Sequence, residues 1–293
     1  MSIFKKAERS KAKLRLSVSG PAGSGKTYSA LRVAFGLGNK VVLIDSENGS
    51  GSLYSSLGDY DIFVMEKPYE PEKLINVIKE AEKEKYDVII IDSLTHYWAG
   101  EGGLLERHEK IGGNSYTAWA KVTPVYQKMM ETILQSKCHI IFTMRSKQDY
   151  VLTEKNGKQV PEKVGMAPIM RDGAEYEVTV AINLNMHHLA ETNKDRTGLF
   201  DSKQWIPSEE TGRTLLEWLE SGAEPPKPRL TDSQRKQMFA MSKQAGMTVD
   251  GIKEHIHTTY SVESSNDLTI DQAEDLISWL DDRISEHKEA ANE

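Results

Sequence analysis

The chain has 293 residues, 28% of them charged and 38% hydrophobic, with a net charge of −7 and one cysteine, Cys138. That length fits one large domain, or one large and one small, and a single cysteine excludes an internal disulfide framework. No apolar run approaches the roughly 18 residues of a membrane helix, and the first residues lack the apolar core of a secretory leader, so the expectation is a cytoplasmic protein with no membrane partner.

In chain order, residues 1–12 read as a basic arm, with Lys5, Lys6, Arg9 and Lys11 against Glu8. Leu14, Leu16 and Val18 alternate with polar residues, a strand pattern that leads into a glycine-rich turn. A helix is predicted over 27–37, and Val41–Ile44 is an apolar run of strand length. Residues 71–84 form a charged helix with Leu74, Ile75, Val77 and Ile78 as its stripe. Val88–Ile91 reads as a buried strand, 117–136 as helix and His139–Phe142 as strand. Continuous β-branched runs separated by helices predict a mostly parallel sheet covered on both faces. From about residue 176 the predicted strands crowd together, at Glu177–Leu184, His187–Glu191 and Thr197–Trp205, as antiparallel hairpins. His187 and His188 have no Cys or carboxylate at ligand spacing and read as strand surface rather than a metal site. A helix at 209–220 closes a domain spanning 13–222.

Glu224-Pro225-Pro226-Lys227-Pro228 cannot continue a helix, which places a linker at 223–229. Residues 230–285 read as a helical module, followed by a tail at 286–293. Thr231–Gln234 and Thr269–Gln272 match the capping-box pattern, and Met238, Phe239, Met241, Ile252, Ile256, Ala273, Leu276, Ile277 and Leu280 supply apolar faces. Residues 229–293 hold seven basic and thirteen acidic side chains, a net of −6, which leaves −1 for residues 1–228. The overall charge therefore does not exclude a nucleic-acid partner; it confines the negative excess to the last module.

Gly20-Pro21-Ala22-Gly23-Ser24-Gly25-Lys26-Thr27 matches G-x-x-x-x-G-K-[ST], with a strand before it and a helix after. The glycines let backbone N–H groups turn inward around phosphate, and the helix start adds its positive end. The expected binding set is Gly20 through Thr27 with Tyr28, Lys26 reaching the β- and γ-phosphates and Thr27 meeting Mg²⁺. Asp92 at the tip of a neighbouring apolar strand is the expected second magnesium group, with Ser93 beside it and Asp45 as the alternative. Glu47, at the tip of the strand Val41–Ile44, is placed to activate the attacking water. The guanine signature N-K-x-D is absent, which favours adenine.

Together, Leu43-Ile44-Asp45-Ser46-Glu47 and Asp87-Val88-Ile89-Ile90-Ile91-Asp92-Ser93 resemble the RecA-like P-loop ATPases. The resemblance is nearest to the phage-encoded RecA-like ATPases of single-strand annealing, and it covers residues 13–285. It implies that Glu47 is the catalytic base and Asp92 the magnesium-site carboxylate. Lys194-Asp195-Arg196-Thr197-Gly198 is similar to the K-N-R-x-G element of related ATPases, with Asp195 in the Asn position. That likeness implies that Lys194 and Arg196 reach the γ-phosphate of a neighbouring subunit. The module at Leu230–Leu280 resembles a small helical module at the ends of phage recombination proteins, with Ser264–Thr269 its clearest part.

Two segments lack clean periodicity, 94–116 with Tyr97 and Trp98, and 145–172. In RecA-like proteins, loops at such places bind single-stranded DNA. The second segment is the better candidate, since Arg145, Lys147, Lys155, Lys158, Lys163 and Arg171 outnumber its acids and Tyr150 can stack on a base. An ordinary surface hairpin around Asn156-Gly157 is the plainer alternative, and Tyr97 and Trp98 fit a core better than a base platform. Thr143 and Arg145 are also placed to sense phosphate. The leading expectation is an ATP- and Mg²⁺-dependent ATPase that assembles as a ring or filament on single-stranded DNA and promotes annealing or recombination. It would work with a recombination or single-strand-binding protein, in the bacterial host cytoplasm if phage-encoded. The alternatives are a hexameric DNA motor or helicase-loading ATPase, and an ATP-dependent assembly switch that recruits a partner protein.

Overall fold

The apolar runs Val41–Asp45 (β2) and Val88–Asp92 (β4) are buried along their whole length because both faces of the sheet they form are covered. In this computed structural model, β2 and β4 pair in parallel, and β4 pairs with the start of a long strand, His139–Lys155 (β5). Arg15–Gly20 (β1) lies between β5 and Val180–Leu184 (β7), again in parallel. Asp61–Val64 (β3) and Ala190–Asp195 (β8) flank the row, which runs β3-β2-β4-β5-β1-β7-β8, with only β8 antiparallel within it. The description covers residue 4 and residues 6–155, 158–224 and 232–290; side chains at 149–165, 232–233 and 286–290 are outside it. Linker residues 225–229, Asn156-Gly157, Thr231 of the first capping box and tail residues 291–293 thus lie outside the described residues.

Strand periodicity sorts the side chains into two cores. Ile89, Ile91, Ile140 and Phe142 face α2 (Pro71–Lys83) and α5 (Ser115–Gln135). Val88, Ile90, Ile141, Leu16 and Val18 face α1 (Lys26–Leu37) and α6 (Glu209–Glu220). Helices α1 and α6 cross at two glycines. A Cβ on Gly36 would sit 2.0 Å from the Glu209 carbonyl oxygen, and one on Gly212 would sit 2.2 Å from that of Val33.

The polar residues of β1 are buried too, since β1 is central. Arg15 extends from β1 to donate to the carbonyls of Leu14 (2.7 Å), Leu134 (3.0 Å) and Cys138 (2.8 Å), and to that of Ser136. It caps the end of α5 and the turn after it. Burial brings its pKa down to about 10.

Several expectations are corrected. Residues 94–116 are not an irregular loop: they form Leu94–Ala99 (α3), Leu104–Ile111 (α4) and the start of α5. Glycines 100, 102, 103, 112 and 113 break them into pieces too short to show a helical period. Tyr97 and Trp98, by contrast, are buried in the core as expected. Strand β5 does not stop at Phe142; it runs to Lys155 and returns antiparallel as Lys158–Pro168 (β6). Strand β3, on the short apolar run 62–64, and the 3₁₀ turn Ser50–Leu57 are additions to the predicted elements. His187 and His188 lie in the turn between β7 and β8 rather than in a strand, and residues 197–205 make only one bridge, from Ala190 to Trp205. The Asp195 carboxylate takes the Thr197 N–H and hydroxyl and the Phe200 N–H, and so turns the chain.

The arm docks on α6. Ser10 bridges Ala223, and the Arg9 guanidinium lies 4.5 Å from the Trp218 ring. The chain divides into two units, Met1–Ala223 and Glu224–Glu293. The second holds Asp232–Gln244 (α7), Val249–Tyr260 (α8) and Ile270–Ala290 (α9) around Met238, Ile252, Ile256, Leu276 and Leu280. At its second capping box the Thr269 N–H donates to Gln272 Oε1 (2.9 Å) and the Gln272 N–H to Thr269 Oγ1 (3.3 Å). Among the described residues no helix is long and apolar enough to cross a membrane.

Candidate active site

The carboxyl ends of β1, β2, β4 and β5 converge at one edge of the sheet, where open parallel sheets present their ligand crevice. The glycine-rich loop joins β1 to α1 there. Gly23 and Gly25 hold φ of 81° and 83°, which favours glycine, and a Cβ on Gly25 would meet His188 Nδ1 at 2.9 Å. Helix α1 begins at Lys26, so its free N–H groups face the loop. Lys26 Nζ folds back to donate to the Pro21 carbonyl at 2.8 Å. Burial pushes the Lys26 pKa below its ordinary value, and the carboxylates of Asp92 and Glu47 oppose that shift. Ser24 Oγ, in the loop, and Ser93 Oγ, beside Asp92, are both buried without a hydrogen-bond partner.

Asp92 ends β4 not directly beside β1 but one strand away, with β5 between. Thr27 Oγ1 crosses that gap and donates to Asp92 Oδ2 at 2.5 Å, while Thr143 of β5 donates to Oδ1. Burial raises the Asp92 pKa, and the two threonine bonds pull it back. Asp45 has a different task. Its Oδ1 accepts the Glu47 N–H (2.5 Å) and its Oδ2 the Gly51 N–H (2.7 Å), which shapes the loop that presents Glu47.

Glu47 is gripped by Arg145, at the start of the β5–β6 hairpin. Arg145 Nε donates to Glu47 Oε1 at 2.8 Å and a terminal nitrogen donates to Oε2. That bond raises the Arg145 pKa. His96 of α3 stands on the other side, its Nε2 4.0 Å from Glu47 Oε1.

A cleft of about 550 Å³ opens beside the loop, lined by Lys26, Thr27, Tyr28, Tyr54, His188 and Ile206. Tyr28 is part-exposed and meets Tyr54 edge-on at 6.3 Å. His188, read from sequence as strand surface, packs instead on the glycine-rich loop, with Nδ1 2.9 Å from the Ser24 carbonyl oxygen.

Other predicted residues lie elsewhere. Lys194 donates to the Tyr176 carbonyl, and Arg196 reaches the same oxygen at 3.2 Å. Ala181 of β7 pairs with Lys194, and Val180 with both Asp195 and Leu16, so the pair sits at the amino-terminal end of the parallel strands. The glycine-rich loop is at the other end, roughly 13 Å along the sheet at the usual strand rise. Arg171 stacks over Tyr126 of α5 at 4.9 Å. Lys147 is exposed on β5. Tyr150, Lys155, Lys158 and Lys163 belong to the hairpin strands, with their side chains outside the described residues.

The sequence assigns no role at this site to His96, Ser46, Tyr69 or His188; each is recognisable here only by what the fold puts next to it.

Residues 12–209 match the AAA_24 family, described as an AAA domain. No curated protein matches. The chain is also similar to a solved structure described as "Crystal structure of the RadB recombinase", with a TM-score of 0.41 and 15% identity over 69% of this chain and 90% of that one.

Proposed function

The chain belongs to the AAA_24 family of AAA domains, and on that premise we propose that this P-loop NTPase is a magnesium-dependent ATPase acting on single-stranded DNA. One observation carries the ATPase reading: Lys26 with Thr27, Asp92 and Glu47 come from three separate stretches and meet at the edge where β1, β2 and β4 end. Loop N–H groups and the Lys26 ammonium would neutralise the β- and γ-phosphates. The Ser24 hydroxyl of the same loop is buried and partnerless.

Among the described residues no cluster of three or more His, Cys, Asp or Glu could cage a metal. The hard oxygens of Thr27 and Asp92, already in contact, fit Mg²⁺, which takes one or two protein ligands and completes its shell with water and phosphate. When bound there it supplies charge neutralisation for the transferring phosphoryl group. Glu47 takes a proton from water as that water's oxygen bonds to the γ-phosphorus and the β–γ bridging bond breaks, leaving ADP and phosphate. The part-apolar cleft with Tyr28 and Tyr54 suits the adenine ring.

The finer reading is annealing or recombination by a homo-oligomer, phage-encoded, with the β5–β6 hairpin on DNA. Its supports are the sequence resemblance and the cation excess of residues 145–172. Lys194 and Arg196 lie too far from their own loop to serve it, so they would act on another protomer's phosphate.

A second reading, an assembly switch that hydrolyses slowly, gains from one observation: Arg145 occupies both oxygens of Glu47. Two variants test the main reading. Lys26→Ala is expected to lose nucleotide binding in a fluorescent-nucleotide titration, and unchanged affinity would sink the phosphate-site assignment. Glu47→Gln is expected to bind normally and to lose turnover about 100-fold or more; full turnover would mean that another group activates water.

A further inference from the structure

We propose that His96 is a positioning residue for Glu47, a neutral imidazole whose Nε2–H steers the carboxylate while Ser46 and Tyr69 hold the ring. The proposal rests on the reading of Glu47 as the base.

The ring is fixed from two sides. Its Nδ1 lies 2.8 Å from Ser46 Oγ. Its face stacks on Tyr69 at 4.9 Å and 17°. Tyr69 in turn donates its hydroxyl to the Ser46 carbonyl at 3.1 Å. Ser46 is fully buried and is tied to the tip of β4: its N–H donates to the Asp92 carbonyl at 2.6 Å, and its Oγ accepts the Ser93 N–H at 2.9 Å. His96 therefore connects the tip that carries Asp92 to the loop that carries Glu47.

The contacts also assign the tautomer. With the Ser93 N–H already accepted, the Ser46 hydroxyl has one proton to give. Its nearest acceptor is His96 Nδ1 at 2.8 Å, ahead of the carbonyls of Asp92 (3.1 Å) and Ser93 (3.2 Å). The imidazole proton then sits on Nε2 and faces Glu47 Oε1 across 4.0 Å. The opposite tautomer would aim a lone pair at a carboxylate. A gap of 4.0 Å is too long for a direct bond and the right size for one shared water.

Glu47 needs this second support because of Arg145. Arg145 occupies both Glu47 oxygens. For Glu47 to accept a proton from water that pair must open, and a carboxylate released from the guanidinium would wander among rotamers. A neutral donor on the opposite side keeps it aimed without closing it off as the cation does.

His96→Phe keeps the ring stack on Tyr69 and removes both nitrogens; His96→Gln restores an N–H near the position of Nε2. Both are compared with wild type and Glu47→Gln for ATP affinity, kcat, KM and thermal midpoint. For His96→Phe we expect affinity and KM within about twofold and kcat down roughly 10- to 100-fold. His96→Gln should recover a large part of that loss. Wild-type kcat in His96→Phe beside an inactive Glu47→Gln overturns the proposal, as does a loss confined to affinity, or a His96→Gln no better than His96→Phe. Should His96→Phe not fold, a folded His96→Gln with less than about a hundredth of wild-type kcat overturns it. Full turnover by Glu47→Gln instead removes the premise, a distinct result.

Discussion

At the scale of single residues, the site depends on side chains distant in sequence. Arg145 is 98 positions from Glu47, yet it engages both oxygens of that carboxylate. The guanidinium is half-exposed, so the pair contributes little to stability. Arg145→Gln is therefore expected to leave the thermal midpoint almost unchanged and to raise basal ATP hydrolysis severalfold. A fall in the rate would show that the guanidinium serves phosphate instead. A second residue, His139 at the start of β5, gives a pH signature. It is buried, its Nδ1 accepts the Leu14 N–H at 3.1 Å, and burial, with Lys13 and Arg15 acting in the same sense, brings its pKa down to about 4. The unfolded imidazole titrates near 6.5. Between those values the unfolded chain binds a proton that the native chain refuses, so stability falls as pH drops from about 6.5 towards 4. At about pH 5 the loss is roughly 2 kcal/mol. Urea midpoints at two pH values should show it in wild type and not in His139→Gln; equal slopes would refute it. Lys26 and Thr27 were legible because the phosphate loop has fixed spacing, and Asp92 and Glu47 because each ends an apolar run. Arg145, His96 and His188 were not legible in these positions, because no spacing rule links them to the residues they touch.

At the scale of elements, the glycine crossing of α1 and α6 sets how closely the helix that starts at Lys26 is backed. Gly212→Ala must push the helices apart, since its new Cβ would overlap a backbone oxygen that cannot rotate away. A loss of about 2 kcal/mol or more is expected by chemical denaturation. Arg15→Met should cost a similar amount or more, because the carbonyls of Leu134, Ser136 and Cys138, at the end of α5 and in the turn after it, lose their donor. Replacing Lys155, Lys158 and Lys163 with Gln tests the hairpin: single-strand affinity should fall and its dependence on salt should flatten. If neither changes, the hairpin is not the DNA surface. The buried strands β2 and β4 and the helices α1, α2, α5 and α6 were legible because each shows a full period of its pattern. Strand β3 is a four-residue exposed edge, α3 and α4 are one or two turns between glycines, and the hairpin strands are polar. Each falls below the length or contrast at which periodicity speaks. The strand expected at 197–205 failed for the opposite reason, because its apolar residues serve a turn in which Phe200 stacks on Trp205 at 4.6 Å.

At the scale of the whole molecule, the charge divides with the chain. The unit that carries the phosphate loop is close to neutral, and nearly all of the −7 belongs to the helices after residue 228. Removing residues 224–293 should therefore change the net charge far more than nucleotide affinity, which a titration of the 1–223 fragment would check. The opposed placement of the glycine-rich loop and the Lys194–Arg196 pair bears on symmetry. If the pair serves a phosphate, donor and acceptor surfaces lie at opposite ends of one sheet. In a head-to-tail contact each copy gives at one end and receives at the other, so assembly continues until it closes or runs on as a helix. Mixing Arg196→Ala with an Asp92→Asn variant, each inactive alone, should then restore about one quarter of the interfaces. A closed two-fold pair would instead stop at two chains, a difference that mass measurement at rising concentration reads directly.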